Sequence, residues 1–337
     1  MGGGRRGQVV TPRALLAADC GRGVGLGHLE RMLALADALD PDVDVSMLVP
    51  QGDVAIRQRV VDRGHAPLEA SGDTPARVAA VAGDSTPFDV VVLDGYVFDI
   101  ALQHRLRDRA PLSVVDDLRL PTDCDLAVNP SPGGETLRPE GAGGFLGGAD
   151  YALIRASVVQ ARELGLRRDR DPRTVLVSTG ATDPAGLGRS VSHSLLERDP
   201  DVKVTRVVGP DSLDIAERAW AREQLLQAPP DLADGLATAT VYVGAAGTTA
   251  VQAACVGCPA VITPAVSNQA AQAAALEAAG CAVVVDATYL ADTCLALLDD
   301  LARRAEMAVR GRALVDGCGA ARVADAIRHL VAARAAS

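Results

Sequence analysis

Short apolar runs alternate with stretches of helical periodicity along almost the whole chain. RALLAAD (13–19) reads as a buried strand, a glycine-rich loop follows, and the spacing predicts a helix over roughly 28–39. VDVSMLVP, DVVVLDG, LSVVDD and DLAVNPS read as further strands. These runs are continuous rather than alternating, as in a parallel sheet covered by helices on both faces. The pattern fades through RELGLRRDRDPR, a charged stretch near 162–173. It restarts with TVLVSTG (174–180), VKVTRVVGP, VYVGAAG, PAVITPA and CAVVVDA, with helices between. The last stretch, about 289–335, reads as helices only. The expectation is an α/β chain of two doubly wound, Rossmann-like domains in tandem. Their expected bounds are 13–162 and 174–337, the second ending in helices, after a flexible tail over 1–12. Ligands of such sheets bind beyond the C-terminal strand ends, so the expected site is the cleft where the two domains face each other.

Composition narrows the partners. A chain of 337 residues, 48% hydrophobic, is long enough for two cores. Its net charge is −10, aromatics are 2%, and no Lys/Arg block carries interleaved aromatics. Nucleic acid is therefore not an expected partner. No apolar run approaches the ~20 residues of a membrane span. MGGGRRGQVVTPR lacks the apolar core of a signal peptide. Seven cysteines without regular spacing suit a reduced, cytoplasmic protein. Cys255-Val-Gly-Cys258 falls at the end of a helical stretch just before Pro259, with no second pair at zinc spacing, so ordinary buried thiols and no metal are expected. A small molecule is the expected partner. An anionic one remains open, because backbone N–H groups at helix N-termini bind anions without basic side chains.

The first loop, GRGVGLGH (21–28), fails the dinucleotide spacing, since the required third glycine is Leu26 or His28. It fails the Walker pattern too, since no Lys-Ser/Thr follows the glycines. Gly25 and Gly27 let the backbone turn tightly and approach a ligand, and His28 then lies in the first turn of the helix. The positive end of the helix dipole disfavours imidazolium there, which suits a general base. Packing or capping of the helix start is the other reading. Asp19, Asp94, Tyr96, Asp116 and Asp117 all fall at C-terminal strand ends. The acids can orient a base, hold sugar hydroxyls, or merely cap the next helix or loop.

The second half offers anion sites. Gly244-Ala-Ala-Gly247 leads into Thr248 and Thr249 at a helix start, where N–H groups and hydroxyls suit a phosphate. N-capping by threonine is the alternative. STGATDP (178–184) repeats the logic with Thr179, Gly180, Asp183 as N-cap and Pro184 at the first helical position. TPAVSNQAAQ puts Asn268 and Gln269 at a third helix start. Three such loops on one sheet edge point to a nucleoside-diphosphate pocket.

Taken in order, Asp19 with Gly21, Gly25, Gly27 and His28, then LDGY, VDD, DLAVNP, YALIR (151–155), TGATDP and GAAGTT…NQ resemble a known family. That family is the UDP-2,4-diacetamido-2,4,6-trideoxy-β-L-altropyranose hydrolases of pseudaminic acid biosynthesis, and the likeness covers roughly 13–290. It implies a GT-B fold, a UDP-sugar substrate, inversion at the anomeric carbon, and no metal or cofactor. It implies that His28 activates water, that Tyr96 lies beside the reacting sugar, that Asn268 is the family's asparagine of the third loop, and that GAAGTT holds the diphosphate. Gln252 stands where the family and related transferases usually place a ribose-binding glutamate, Gly95 where His is frequent, and Ala181 where glycine is common. Two rivals remain. One is a glycosyltransferase similar to the peptidoglycan N-acetylglucosaminyltransferase, passing the sugar to an acceptor hydroxyl. The other is a non-catalytic sugar-nucleotide-binding protein. The apparent lack of a basic or apolar patch in the N-terminal half favours water as acceptor.

Overall fold

The computed structural model describes residues 11–21, 26–82, 88–165, 173–180, 183, 186–209 and 220–336. Its first half runs β1 (Arg13–Ala18), α1 (Gly27–Leu39), β2 (Asp44–Pro50), α2 (Val54–Asp62), β3 (Ala66–Ala70), α3 (Thr74–Val81), β4 (Val90–Asp94), α4 (Ile100–Arg107), β5 (Leu112–Val115), β6 (Cys124–Asn129), β7 (Ala142–Gly147) and α5 (Ala156–Gly165). The second runs β8 (Thr174–Ser178), α6 (Leu187–Arg198), β9 (Lys203–Val208), β10 (Glu223–Gln227), α7 (Ala233–Thr238), β11 (Val241–Ala245), α8 (Thr248–Val256), β12 (Ala260–Thr263), α9 (Gln269–Ala278), β13 (Ala282–Val284), α10 (Leu290–Asp299), α11 (Leu301–Leu314) and α12 (Gly319–Ala335).

Both sheets are parallel. One has seven strands in the order β3-β2-β1-β4-β5-β6-β7, the other six in the order β10-β9-β8-β11-β12-β13. Each is doubly wound, and the order reverses between β1 and β4 and between β8 and β11. The strands nearest the reversals are buried on both faces, which is why they read as unbroken apolar runs: every residue of β4, β5, β11 and β12 is buried. β3 (APLEA), β7 (AGGFLG) and β10 (EQLLQ) were not expected from the sequence pattern. All three are sheet edges with partly exposed positions, so their sequences never needed to be continuously apolar.

The last helix returns to the first half. Ala320, Val323, Ala324 and Ile327 of α12 pack into one core with Leu29, Met32, Leu33 and Leu39 of α1. Assigning the whole of 174–337 to the second half therefore does not describe α12. Its Arg328 also donates to the carbonyls of Ala38 (2.7 Å) and Leu39 (3.3 Å). That supplies the positive charge at the C-terminus of α1 that the helix itself lacks in its last turn. α12 thus braces, from outside, the helix that begins at the cleft. Among the described residues no helix is long and apolar enough to cross a membrane.

Ile327 is fully buried against α1. Ile327→Ala should cost about 2–5 kcal/mol of stability by the lost transfer energy and the cavity left behind. Urea unfolding followed by circular dichroism checks this, and an unchanged midpoint would mean that α12 does not pack on α1.

Candidate active site

The loops that leave the four strands at the two reversals converge on one cavity of about 390 Å³ between the sheets. Gly27, His28, Tyr96 and Asp117 line it from the first half. Thr179, Gly180, Gly247, Thr248, Thr249, Gln252, Asn268 and Gln269 line it from the second. Of the residues singled out from the sequence, these twelve meet at one place.

His28 is the second residue of α1. Its Nδ1 lies 2.7 Å from Oδ1 of Asp94, the last residue of β4. A carboxylate only accepts, so in the tautomer that bonds Asp94 Nδ1 carries the proton and Nε2 is left to accept one; Nη2 of Arg31, which only donates, then lies 2.8 Å from Nδ1 without bonding it. Asp94 is fully buried. Burial alone would raise its carboxyl, but Arg31 and the hydrogen bond from His28 outweigh it and hold the group below the usual carboxylate range. The Tyr96 ring meets the imidazole edge to face, with centroids 5.1 Å apart at 82°. The Tyr96 hydroxyl donates to Asp117 and accepts from Nδ2 of Asn268 at 3.0 Å, a bond that spans the cleft. Burial, with Asp117 beside it, pushes that hydroxyl well above its ordinary range, so it stays a neutral donor.

Opposite stands the N-terminus of α8. Its N-cap is Gly247, with no side-chain cap, so neither threonine takes the capping role that the sequence left open. Nε2 of Gln272 donates to the carbonyls of Ala246 (2.6 Å) and Gly247 (3.0 Å) and pins the loop from behind. The start of α1 comes close: a Cβ added to Gly27 would lie 3.3 Å from Oγ1 of Thr248. Two helix N-termini, each a partial positive charge with exposed N–H groups, therefore approach one cavity from its two sides.

Several expectations are corrected. Asp19, expected at the ligand, accepts the Thr74 hydroxyl at 2.8 Å and lies off the cavity. Asp116 is a loop cap: it accepts from the N–H groups of Leu118 (2.8 Å) and Leu120 (2.6 Å). Asp94 lies behind His28, too deeply buried to touch a ligand. α6 begins at Leu187 with Gly186 as N-cap, and Asp183 accepts from the N–H groups of Leu187 and Gly188, each at 3.0 Å, without being the cap. Gly25, Ala181 and Pro184 lie outside the described residues. Gly95 has φ +145°, and a Cβ there would sit 2.6 Å from that of Asp19, so the histidine frequent at this position in the resembled family has no room. Cys255 and Cys258 are buried and outside any disulfide, and burial pushes the Cys255 thiol up to about 11.

Other groups were missed from the sequence. Arg31 binds Asp94 through Nε (2.9 Å) and Nη2 (2.7 Å) and Asp117 through Nη1 (2.9 Å). The only signal was its spacing, three residues after His28 and so on the same face of α1. A second cluster sits at the other end of the cavity. Glu30 takes Arg59 at 3.1 Å and Arg155 at 2.6 Å. Arg59 and Arg155 also donate to carbonyls of Ala228, Pro229 and Pro230 in the second half. The loop after β4 also exposes Val97, the start of α4 Ile100, and the loop after β5 Leu118 and Leu120. Val97 and Leu118 adjoin Tyr96 and Asp117 of the cavity lining in sequence, so the first half is not free of exposed apolar residues next to that lining.

No family model matches the chain. It is 33% identical over 193 residues to the UDP-N-acetylglucosamine–N-acetylmuramyl-(pentapeptide) pyrophosphoryl-undecaprenol N-acetylglucosamine transferase of Clavibacter michiganensis, a match covering 54% of this chain and 52% of that protein. It is 23% identical over 198 residues to an uncharacterized protein of Methanocaldococcus jannaschii, covering 56% of this chain and 40% of the relative. The matches thus span about half, or less, of these curated relatives. Among solved structures, spinosyn rhamnosyltransferase SpnG with spinosyn aglycone superposes with a TM-score of 0.65 at 17% identity, covering 94% of this chain and 100% of that one. Acinetobacter baumannii MurG gives 0.63 at 17% identity, covering 94% and 99%.

The fold is GT-B. These relatives also correct the expected function. The transferase and the structural neighbours are glycosyltransferases, so the reading as a UDP-sugar hydrolase of pseudaminic acid biosynthesis is overturned. The loops that carried the resemblance hold His28 and a helix N-terminus.

Asp94 titrates below its unfolded value, so its contribution to stability is present at neutral pH and lost as pH falls through the folded value. Asp94→Asn should cost about 3 kcal/mol at pH 7 by breaking a buried pair. The gap to wild type should narrow below about pH 4. Urea unfolding at both pH values checks this, and a gap that does not vary with pH would contradict it.

Proposed function

We propose that the protein is a glycosyltransferase that moves a sugar from a pyrimidine nucleoside-diphosphate donor to an acceptor hydroxyl, with inversion at the anomeric carbon. The observation that carries this is His28, held by Asp94, across one cavity from the uncapped N-terminus of α8. Nε2 of His28 takes the acceptor proton as the acceptor oxygen attacks the anomeric carbon. The bond from that carbon to the diphosphate breaks, and the leaving charge meets the first-turn N–H groups of α8 and the hydroxyls of Thr248, Thr249 and Thr179. Gly180 and Gly247 let the phosphates come close to the backbone. Both carboxylates near the base, Asp94 and Asp117, are engaged by Arg31, which leaves neither poised as a covalent nucleophile and favours a single displacement.

The domain roles follow. The first half presents base and acceptor and the second holds the donor nucleotide, with Gln252, Asn268 and Gln269 turned to the donor. UDP and TDP are the donors to try first: the transferase relative is named for UDP-N-acetylglucosamine, and one SpnG structure contains thymidine diphosphate. The buried amide of Gln252 both donates and accepts, as ribose hydroxyls require. The exposed Val97, next to Tyr96 in sequence, and Leu118, next to Asp117, favour an acceptor with an apolar part over water.

Incubation with UDP- and TDP-sugars and a panel of apolar alcohols, read by mass spectrometry, tests this. The expected result is a glycosylated acceptor and free nucleoside diphosphate, with His28→Ala lowering kcat about 10²–10⁴-fold and leaving donor KM within a few-fold. Nucleotide release at the same rate with and without every acceptor would overturn the reading.

A further inference from the structure

Arg31 is the group that the reaction as written does not use. It is buried, at 8% exposure, on the face of α1 that also carries His28. One guanidinium donates to both oxygens of Asp94 and to one oxygen of Asp117, and its Nη2 lies 2.8 Å from Nδ1 of His28, which places the cation beside the ring. The other oxygen of Asp117 accepts the Tyr96 hydroxyl. A single cation therefore touches both carboxylates that hold the two side chains beside the reacting centre.

Asp94 alone would work against a base. A carboxylate 2.7 Å from an imidazole favours imidazolium, and a histidine already protonated cannot accept a proton. Asp94 is nevertheless needed as an acceptor, to orient the ring. Arg31 separates these two effects: it leaves the acceptor in place and offsets its charge. The guanidinium suits this role because it is always charged and forks over two carboxylates.

We propose that Arg31 is a positioning residue that keeps His28 neutral at physiological pH and, through Asp117, sets the place of Tyr96. This rests on the reading of His28 as the base. The charged and titratable groups around the ring are Arg31 on its own helix, Asp94 and Tyr96 at the end of β4, and Asp117 after β5. Thr248 and Asn268 face it from the second half and carry no charge. Glu30, Arg59 and Arg155 pair with one another at the other end of the cavity, where Asp231 also lies. Removing Arg31 leaves two carboxylates and no cation in the cluster.

The test compares wild type, Arg31→Lys and Arg31→Gln by two readouts. The first is the nitrogen-15 spectrum of the His28 ring at pH 7, assigned with His28→Gln and recorded without substrate. Wild type should show the neutral Nδ1–H form, Arg31→Gln a shift toward imidazolium, and Arg31→Lys a spectrum close to wild type. The second is the pH profile of kcat/KM for the best donor and acceptor. Its acid limb should move up by about one pH unit or more in Arg31→Gln and return in Arg31→Lys. If Arg31→Gln fails to fold, Arg31→Gln/Asp94→Asn is compared with Asp94→Asn, where no unpaired Asp94 remains, and the same shift toward imidazolium is expected. An identical ring spectrum with and without Arg31 overturns the proposal. The spectrum needs no turnover, so it decides on Arg31 even where no donor is consumed, an outcome that would sink the transferase reading alone.

Discussion

A carboxylate with no exposure at the end of a central strand has to be answered by charge or hydrogen bonds, and the site is arranged around how Asp94 is answered. Isolated in a protein interior it would be neutral or ruinously costly. Arg31 binds both of its oxygens and His28 takes a third bond. Both partners come from α1, one turn apart, so the carboxylate fixes the rotation and register of that helix against β4. α12 then holds α1 from the far side, packing on its apolar face and meeting its C-terminal carbonyls through Arg328. The orientation of one imidazole thus depends on residues from both ends of the chain.

The second constraint joins the halves. Tyr96 to Asn268, Gly27 against Thr248, and Arg59 and Arg155 on the carbonyls of 228–230 are polar or close-approach contacts across the cleft, while away from it α12 packs into the core of the first half and Val158 and Ala161 of α5 into that of the second. The contacts across the cleft set the distance between His28 and α8. The cluster at Glu30 shows the balance: burial pushes its carboxyl up, while Arg155 and Arg59 draw it down.

Much of this was legible in the sequence, for definite reasons. Strands buried on both faces must be continuously apolar, so β1, β4, β8, β11 and β12 stood out. Edge strands β3, β7 and β10 escape that demand and stayed hidden. His28 and the loops at 247–249 and 268–269 were visible because a strand end, small residues and a helix start coincide. Arg31 was not, because a charged residue inside a helical stretch looks like a solvated one until its partners, some sixty and eighty residues away, are brought to it. Asp19 and Asp116 misled in the opposite sense: at strand ends, acids that cap a loop and acids that meet a ligand have the same local sequence. The choice of hydrolase over transferase failed for a related reason. The histidine and the small-residue loop that carried the resemblance do not tell water from an alcohol as acceptor, and exposed apolar residues such as Val97 and Leu118 belong to no short motif.

The central claim is that base and diphosphate site face each other across one cavity. A crystal structure of the protein with UDP or TDP bound tests it most directly. The account predicts phosphate oxygens within about 3 Å of the first-turn N–H groups of α8, at Thr248 and Thr249, with the terminal phosphate on the side of His28. A diphosphate bound away from α8, or with its terminal phosphate turned away from the imidazole, would contradict it.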